Sequence, residues 1–165
     1  MLVFPSRLGW MAVVLAGRTV LQLAFGYSSA EAARRAICPE WRCDAVVRRS
    51  HPLIRRLQAY ASGRKDDFLD VQVDFGPASE FRRQVLTACR RIDYGTTVSY
   101  AQLAAKAGYP GAARAVGNCM AGNRMPLIVP CHRVVCADGQ LGRYSAPGGI
   151  STKRRLLVLE SENLS

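Results

Sequence analysis

Residues 99 to 122 read SYAQLAAKAGYPGAARAVGNCMAG, and the punctuation of this stretch decides how the second half of the chain folds. Ser99 followed by Gln102 has the spacing of a capping box, in which the hydroxyl and the amide side chain satisfy each other's orphan backbone N–H groups. This predicts a helix from Ser99 to Ala107, stopped by Gly108. Tyr109-Pro110-Gly111 makes a tight turn, and a second helix covers Ala112 to Ala121 before Gly122. Two short helices across such a turn form a helix-turn-helix candidate. The second is rich in small residues (Ala112, Ala113, Ala115, Gly117, Ala121) that would let a duplex come close, and Arg114 projects from its first turn. The same small residues equally suit a helix pair packed in a core, so the pattern alone leaves both readings open.

Working outward, Ser79 to Arg91 is an amphipathic helix with Phe81, Val85, Leu86 and Cys89 on one face, broken by Tyr94-Gly95. Downstream, Pro126 to Pro130 reads as an extended apolar segment, Val134-Val135 as a short strand and Gly139 to Gly149 as a glycine-rich loop. A terminal helix over Ser151 to Glu160 turns Leu156, Leu157 and Leu159 inward. Upstream of Gly76-Pro77 the pattern changes. Trp10 to Leu15 and Thr19 to Phe25 are strand-like runs about a hairpin turn at Ala16-Gly17-Arg18. Ser28-Ser29-Ala30-Glu31 has capping-box spacing and opens a short helix to about Ile37, ended by Cys38-Pro39. His51-Pro52 opens another, with Leu53, Ile54, Leu57 and Tyr60 on one face and Gly63 at the stop. Phe68 to Phe75 alternates as a further strand. The expected architecture is therefore α/β (α+β). A small amino-terminal β-sheet domain with helices spans residues 1–76, and a mainly helical domain with helix-turn-helix and winged-helix-like character spans 77–165.

A chain of 165 residues with 49% hydrophobic and 21% charged residues can bury a core. Its 23 Lys and Arg against 12 Asp and Glu leave a net charge of +11, which draws polyanions, so nucleic acid or an anionic membrane face heads the partner list. The Arg pairs (Arg34-Arg35, Arg48-Arg49, Arg55-Arg56, Arg82-Arg83, Arg90-Arg91, Arg154-Arg155) spread this charge through the chain. No apolar run of roughly 18 residues exists to span a membrane. Leu8 to Gly17 is apolar but lies between Pro5, Arg7 and Arg18 with no small-residue cleavage pattern, so it is read as structure and not as a secretion signal. Six irregularly spaced cysteines suit free thiols in a reducing cytoplasm.

Pro130-Cys131-His132-Arg133-Val134 carries the candidate chemistry. An imidazole that takes the thiol proton, with positive charge such as Arg133 beside it, raises the reactive thiolate fraction. A third group must fix the imidazole tautomer, and Glu160 is a candidate. A buried structural cysteine beside a core histidine would give the same dipeptide.

Pro-Cys-His-Arg-Val after Gly122-Asn123 and Pro126 resembles the signature of the O6-alkylguanine-DNA alkyltransferases, the methylated-DNA–protein-cysteine methyltransferases. The resemblance runs through Phe81 to Val85, Tyr94 to Ala104, Ala112 to Gly117, and Gly142-Arg143-Tyr144-Ser145 to Glu160, and is weaker in the amino-terminal half. It implies direct-reversal DNA repair in which Cys131 takes the alkyl group from O6-alkylguanine, with O4-methylthymine as a second substrate, irreversibly and once per chain. His132 would take the thiol proton through a water, Glu160 would hold His132, and Asn123 would brace the turn carrying the site. Tyr100 would donate a proton toward the leaving guanine. Val134, Tyr144, Ser145 and Met120 would form the base pocket, with Ser145 facing O6 and carbonyls around Cys131 and Val134 accepting from the guanine amino group. Arg114 would fill the gap left by the rotated base, with Ser99, Ala112 and Ala113 beside it on the minor groove of double-stranded DNA. The implied protein is a cytoplasmic monomer, nucleoid-associated on DNA, with no cofactor, metal or membrane partner.

Departures from the family pattern are Ala121 where a basic residue is common, Asn118 where Gly is common, and a longer loop at Ala146 to Gly149. Cys38, Cys43 and His51 only superficially suggest a zinc site. Two other functions compete: a module that senses alkylated bases without chemistry, which would lack Cys131, and a cysteine hydrolase built on Cys131, His132 and Glu160.

Overall fold

A computed structural model describes residues 1–41 and 51–163. An antiparallel meander opens the chain: β1 (Leu2–Ser6), β2 (Gly9–Ala16) and β3 (Thr19–Tyr27), paired in that order. The strand β1 has no clear signature in the sequence. Its Pro5 sits on the sheet's outer strand, where a missing N–H costs no ladder bond. Gly9 enters β2 with φ +94°, and a Cβ there would meet the Tyr27 carbonyl oxygen at 2.8 Å. The sheet is buried on both faces. Leu2, Phe4, Met11, Val13, Leu23 and Phe25 face the main core, whereas Val3, Ala12, Val14 and Ala24 pack under Ala33 and Ile37. Coverage on both faces explains why these strands read as continuous apolar runs.

Helix α1 (Ala30–Arg35) starts one residue later than the capping-box spacing implied. Ser29 caps it by accepting from Ala32 N at 3.1 Å, and Glu31 pairs with Arg35 instead of returning to Ser28. Helix α2 (Pro52–Tyr60) begins as expected, with Pro52 in the first turn and His51 Nδ1 accepting from Leu53 N. The Phe68–Phe75 strand does not form. Asp66 and Asp67 side chains take the N–H groups of Phe68 and Leu69. The Arg90 guanidinium takes the carbonyls of Phe68 and Val71 at 2.8 and 2.9 Å. With those groups spent, a single parallel bridge, Val20 with Val73, remains on the edge of β3.

Helices α3 (Glu80–Arg90), α4 (Tyr100–Lys106) and α5 (Ala113–Ala121) follow. The capping box at Ser99 and Gln102 is complete, and Phe81 meets Tyr109 edge-on at 4.8 Å to hold the inter-helix turn. Residues 126–130 are folded into turns and are not extended. Asn123 ties both ends of this loop by accepting from Met125 N and donating to Val129 O, and Leu127 adopts φ +73°. A two-residue parallel pairing joins β4 (Val98–Ser99) to β5 (Val134–Val135). Helix α6 (Ile150–Ser161) buries Lys153, Leu156 and Glu160 and packs half-buried Leu159 against the core as expected, whereas Leu157 is half-exposed and outside the core cluster. One buried cluster runs from Leu2 to Leu156, on both sides of Gly76. Among the described residues no helix is long and apolar enough to cross a membrane.

Candidate active site

Cys131 opens a 3-10 turn (Cys131–Arg133) directly after the 126–130 loop and is 4% exposed. It lies at a cavity of about 600 Å³ that Tyr100, Met120, Tyr144 and Ser145 also line, so three expected pocket residues and the expected proton donor converge on the thiol. Val134 does not line that cavity; it is fully buried and its carbonyl accepts from Lys153 Nζ at 2.6 Å. Asn123 Nδ2, besides closing the loop, donates to Cys131 Sγ at 3.1 Å. Burial pushes the Cys131 thiol up, against the pull of the Asn123 amide and the Lys153 charge. The resting nucleophile is a neutral thiol, contrary to the expectation of a raised thiolate fraction. The physical reason is that burial outweighs both of those groups, while the Arg133 guanidinium is held by Glu160 and the Ile92 carbonyl.

Behind the thiol, His132 and Glu160 meet as expected, with Nε2 to Oε1 at 2.9 Å and both side chains fully buried. Glu160 also accepts from Arg133 Nη2 at 2.7 Å, from the Gly95 N–H at 3.0 Å and from the Tyr60 hydroxyl. Burial alone would raise the Glu160 carboxyl, but the bonds from His132 and Arg133 win and hold it well below the usual carboxylate range. Burial lowers His132, and Glu160 only partly restores it, so the imidazole rests neutral. With the Nε2 proton directed at Glu160, Nδ1 is the free base. It is buried and has no protein partner. An imidazole so held, beside a neutral thiol, can accept a proton when the sulfur attacks.

The helix-turn-helix forms the outer edge of the site. Ser99 is committed to capping α4, and α5 has Ala112 at its N-cap with no side-chain cap bond, leaving its first N–H groups free of side-chain partners. Arg114 is exposed on the first turn of α5, next to half-buried Ala112 and Ala113, and Asn118 and Ala121 extend the exposed face. Asn118 therefore faces outward and does not disturb the packing. Gly117 lies against Tyr100, 4.0 Å from its ring if given a Cβ. Arg124 stacks over Trp41 at 5.5 Å.

Sequence reasoning missed two buried polar residues here. Lys153 reaches the Val134 carbonyl and lies 5.9 Å over the Tyr100 ring. Its position at the spacing of Leu156 and Glu160 marked it as inward-facing. Tyr60 sat on an apolar helix face, where a phenol needs a buried partner. Of the superficial zinc set, His51 caps α2, Cys38 is half-buried, and Cys43, like Arg48-Arg49, falls outside the described residues.

The signature of the 6-O-methylguanine DNA methyltransferase DNA-binding domain matches residues 80–162. The human methylated-DNA–protein-cysteine methyltransferase is 51% identical over 85 residues, covering 51% of this chain and 40% of the relative. That of Mycolicibacterium paratuberculosis is 44% identical over 107 residues, covering 65% and 62%. The matched stretch thus spans less than two thirds of either curated relative. The fold is similar to that of Mycobacterium tuberculosis OGT in its crystal structure with DNA, with a TM-score of 0.81 and 33% identity, covering 98% of this chain and 92% of that one. By the signature over its second half and a structural likeness along nearly its whole length, the chain belongs to the 6-O-methylguanine DNA methyltransferase family.

Proposed function

We propose that the protein repairs DNA by transferring the alkyl group of O6-alkylguanine, and of O4-methylthymine, to Cys131. The observation that carries this reading is the neutral thiol at a cavity roomy enough for a base, backed by a buried imidazole nitrogen with no protein partner. In the transfer, Cys131 Sγ attacks the alkyl carbon, the bond from that carbon to O6 breaks, and the sulfur becomes a thioether. The thiol proton passes through a bridging water to His132 Nδ1, the kind of polar site a buried water satisfies. Glu160 stabilises the imidazolium that forms. Tyr100 donates toward the departing guanine, Ser145 faces O6, and Tyr144 and Met120 wall the base.

A base reaches Cys131 only by leaving its stack. Double-stranded DNA is the partner, entered from the minor groove by α5, with Arg114 holding the gap and Ser99, Ala112 and Ala113 near the backbone. The protein acts as a monomer in the cytoplasm, with residues 1–76 as a supporting domain and 77–165 as the catalytic and DNA-binding one. Incubation with excess DNA carrying labelled O6-methylguanine should add one methyl group to Cys131 by intact and peptide mass, then stop, because a thioether has no good leaving group. Sustained turnover, binding of lesion DNA without transfer, or label on another residue would each overturn the reading.

Arg114→Ala gives a second check. It should slow repair of duplex substrate by about 10-fold or more, while single-stranded substrate is slowed little, since only the duplex must be held open at a cost of a few kcal/mol. Single-turnover rates on the two substrates measure this, and equal slowing removes Arg114 from the flipping step.

A further inference from the structure

Tyr60 ends α2, far in sequence from the nucleophile, yet its hydroxyl lies in the innermost part of the site. The ring is fully buried between Phe68 at 5.7 Å and Tyr94 at 5.9 Å. The hydroxyl donates to Glu160 Oε1, the same oxygen that receives His132 Nε2 at 2.9 Å and Arg133 Nη2 at 2.7 Å. Its own oxygen stands 3.3 Å from His132 Nε2, a longer and weaker contact than the one to the carboxylate. A carboxylate oxygen accepting from a phenol and a guanidinium has less lone-pair density for an imidazole.

We propose that Tyr60 is a positioning residue of the proton relay: by donating to Glu160 Oε1 it weakens the carboxylate's hold on the Nε2 proton and keeps His132 neutral, with Nδ1 open to accept. The inference rests on the alkyl-transfer reading of the site. Glu160 and Lys153 act on the imidazole from α6 and Arg133 from its own turn, while Tyr94, Cys89 and Tyr144 act on the neighbouring Tyr60, Arg133 and Cys131. Tyr60→Phe deletes one hydroxyl and leaves each of these side chains in place, so a change in His132 would report on that hydroxyl, acting through the Glu160 carboxylate it bonds. The loss of the Tyr60 donor strengthens Glu160 as an acceptor and favours imidazolium. The loss of its weak acceptor contact with Nε2 acts the other way and is the smaller of the two.

The chain has two histidines, so the test is direct. In protein labelled with 13C and 15N at histidine, with His51→Gln to assign the signals, Tyr60→Phe should raise the His132 titration midpoint by about one pH unit. At neutral pH it should move the Nε2 proton signal downfield, as its bond to Glu160 strengthens. The acid limb of the alkyl-transfer rate should shift upward with it, while the rate near pH 8 is retained. Should the Phe variant fail to fold, 3-fluorotyrosine placed at position 60 by nonsense suppression keeps the ring and strengthens the donor, and must move the midpoint down. An unmoved midpoint, or a rate lowered equally at every pH, would overturn the proposal. The titration is recorded without DNA, so absence of transfer to Cys131 would overturn the alkyl-transfer reading separately.

Discussion

Cys131→Ser lowers alkyl transfer by about 10⁴-fold or more, the scale on which deleting a nucleophile acts, with little change in DNA affinity. Serine can still accept the Asn123 Nδ2 hydrogen bond that Sγ receives at 3.1 Å, so the 126–130 loop stays closed and the cavity keeps its shape. What is lost is the chemistry. A hydroxyl holds its proton far more tightly than a thiol, and a neutral imidazole cannot remove it at physiological pH. DNA affinity resides in phosphate contacts, to which a side chain at the cavity contributes nothing. Cys136 lines the same cavity and supplies the control, because Cys136→Ser should transfer at the wild-type rate. Single-turnover kinetics and intact mass measure both variants, and methylated protein from Cys131→Ser would move the nucleophile elsewhere.

Glu160→Gln should be the most destabilising conservative change in the molecule. Every group that meets the Glu160 carboxylate is a donor: the Tyr60 hydroxyl, His132 Nε2, the Gly95 N–H and the Arg133 guanidinium. An amide in its place must turn its own NH2 toward one of them. It also leaves Arg133, 2% exposed, with the Ile92 carbonyl but no counter-charge. Breaking a buried pair in this way costs about 3–5 kcal/mol, out of a total stability of about 5–15 kcal/mol. Melting should fall by about 10 °C. In the folded fraction the transfer rate near neutrality drops as well, because a neutral amide does not stabilise imidazolium, and raising the pH should recover part of it.

Acid acts on the wild-type protein through the same groups. Folding lowers His132, so as the pH falls below about 6.5 the unfolded chain binds a proton that the folded chain resists, and stability declines. Folding also lowers Glu160, whose contribution is complete above the ordinary carboxylate range of about 4.3 and is lost as the pH falls further. Denaturant unfolding between pH 8 and pH 4 should show a continuous decline in the wild type. Glu160→Gln should start lower and lack the carboxylate part of the slope. A variant melting within about 2 °C of the wild type would show that the carboxylate does not anchor this cluster.

Features written in local chemistry were legible in the sequence. The Ser99–Gln102 box, Pro52 in the first turn of α2 and the stop at Gly108 each use neighbours a few residues apart, and each stands as read. Ser29 replaced Ser28 as the cap of α1 because adjacent serines offer the same hydroxyl, and only backbone geometry chooses between them. The Phe68–Phe75 strand failed because Arg90, many residues downstream, takes the carbonyls a partner strand would need. At the site, Cys131, His132 and Glu160 were read from thiol and imidazole chemistry and Asn123 from the family resemblance, and the structure brings them together. Tyr60 and Lys153 had no local signal for a polar role, since their partners, Glu160 and the Val134 carbonyl, are supplied by the tertiary fold alone.

The burial of the nucleophile bears on how long the protein can wait. If the protein acts once, as proposed, its thiol must remain unspent until a lesion arrives, amid peroxides and disulfides that corrode thiols. Such oxidants act on exposed thiolates. At 4% exposure, with burial holding its proton on, Cys131 presents neither the surface nor the charge they require. A base that fills the cavity meets the sulfur and the imidazole together, whereas a small oxidant meets only a protonated thiol. On the proposed function, the shelf life of the molecule is therefore decoupled from its reactivity, and a lesion in DNA, not ambient oxidation, would determine when it is used up.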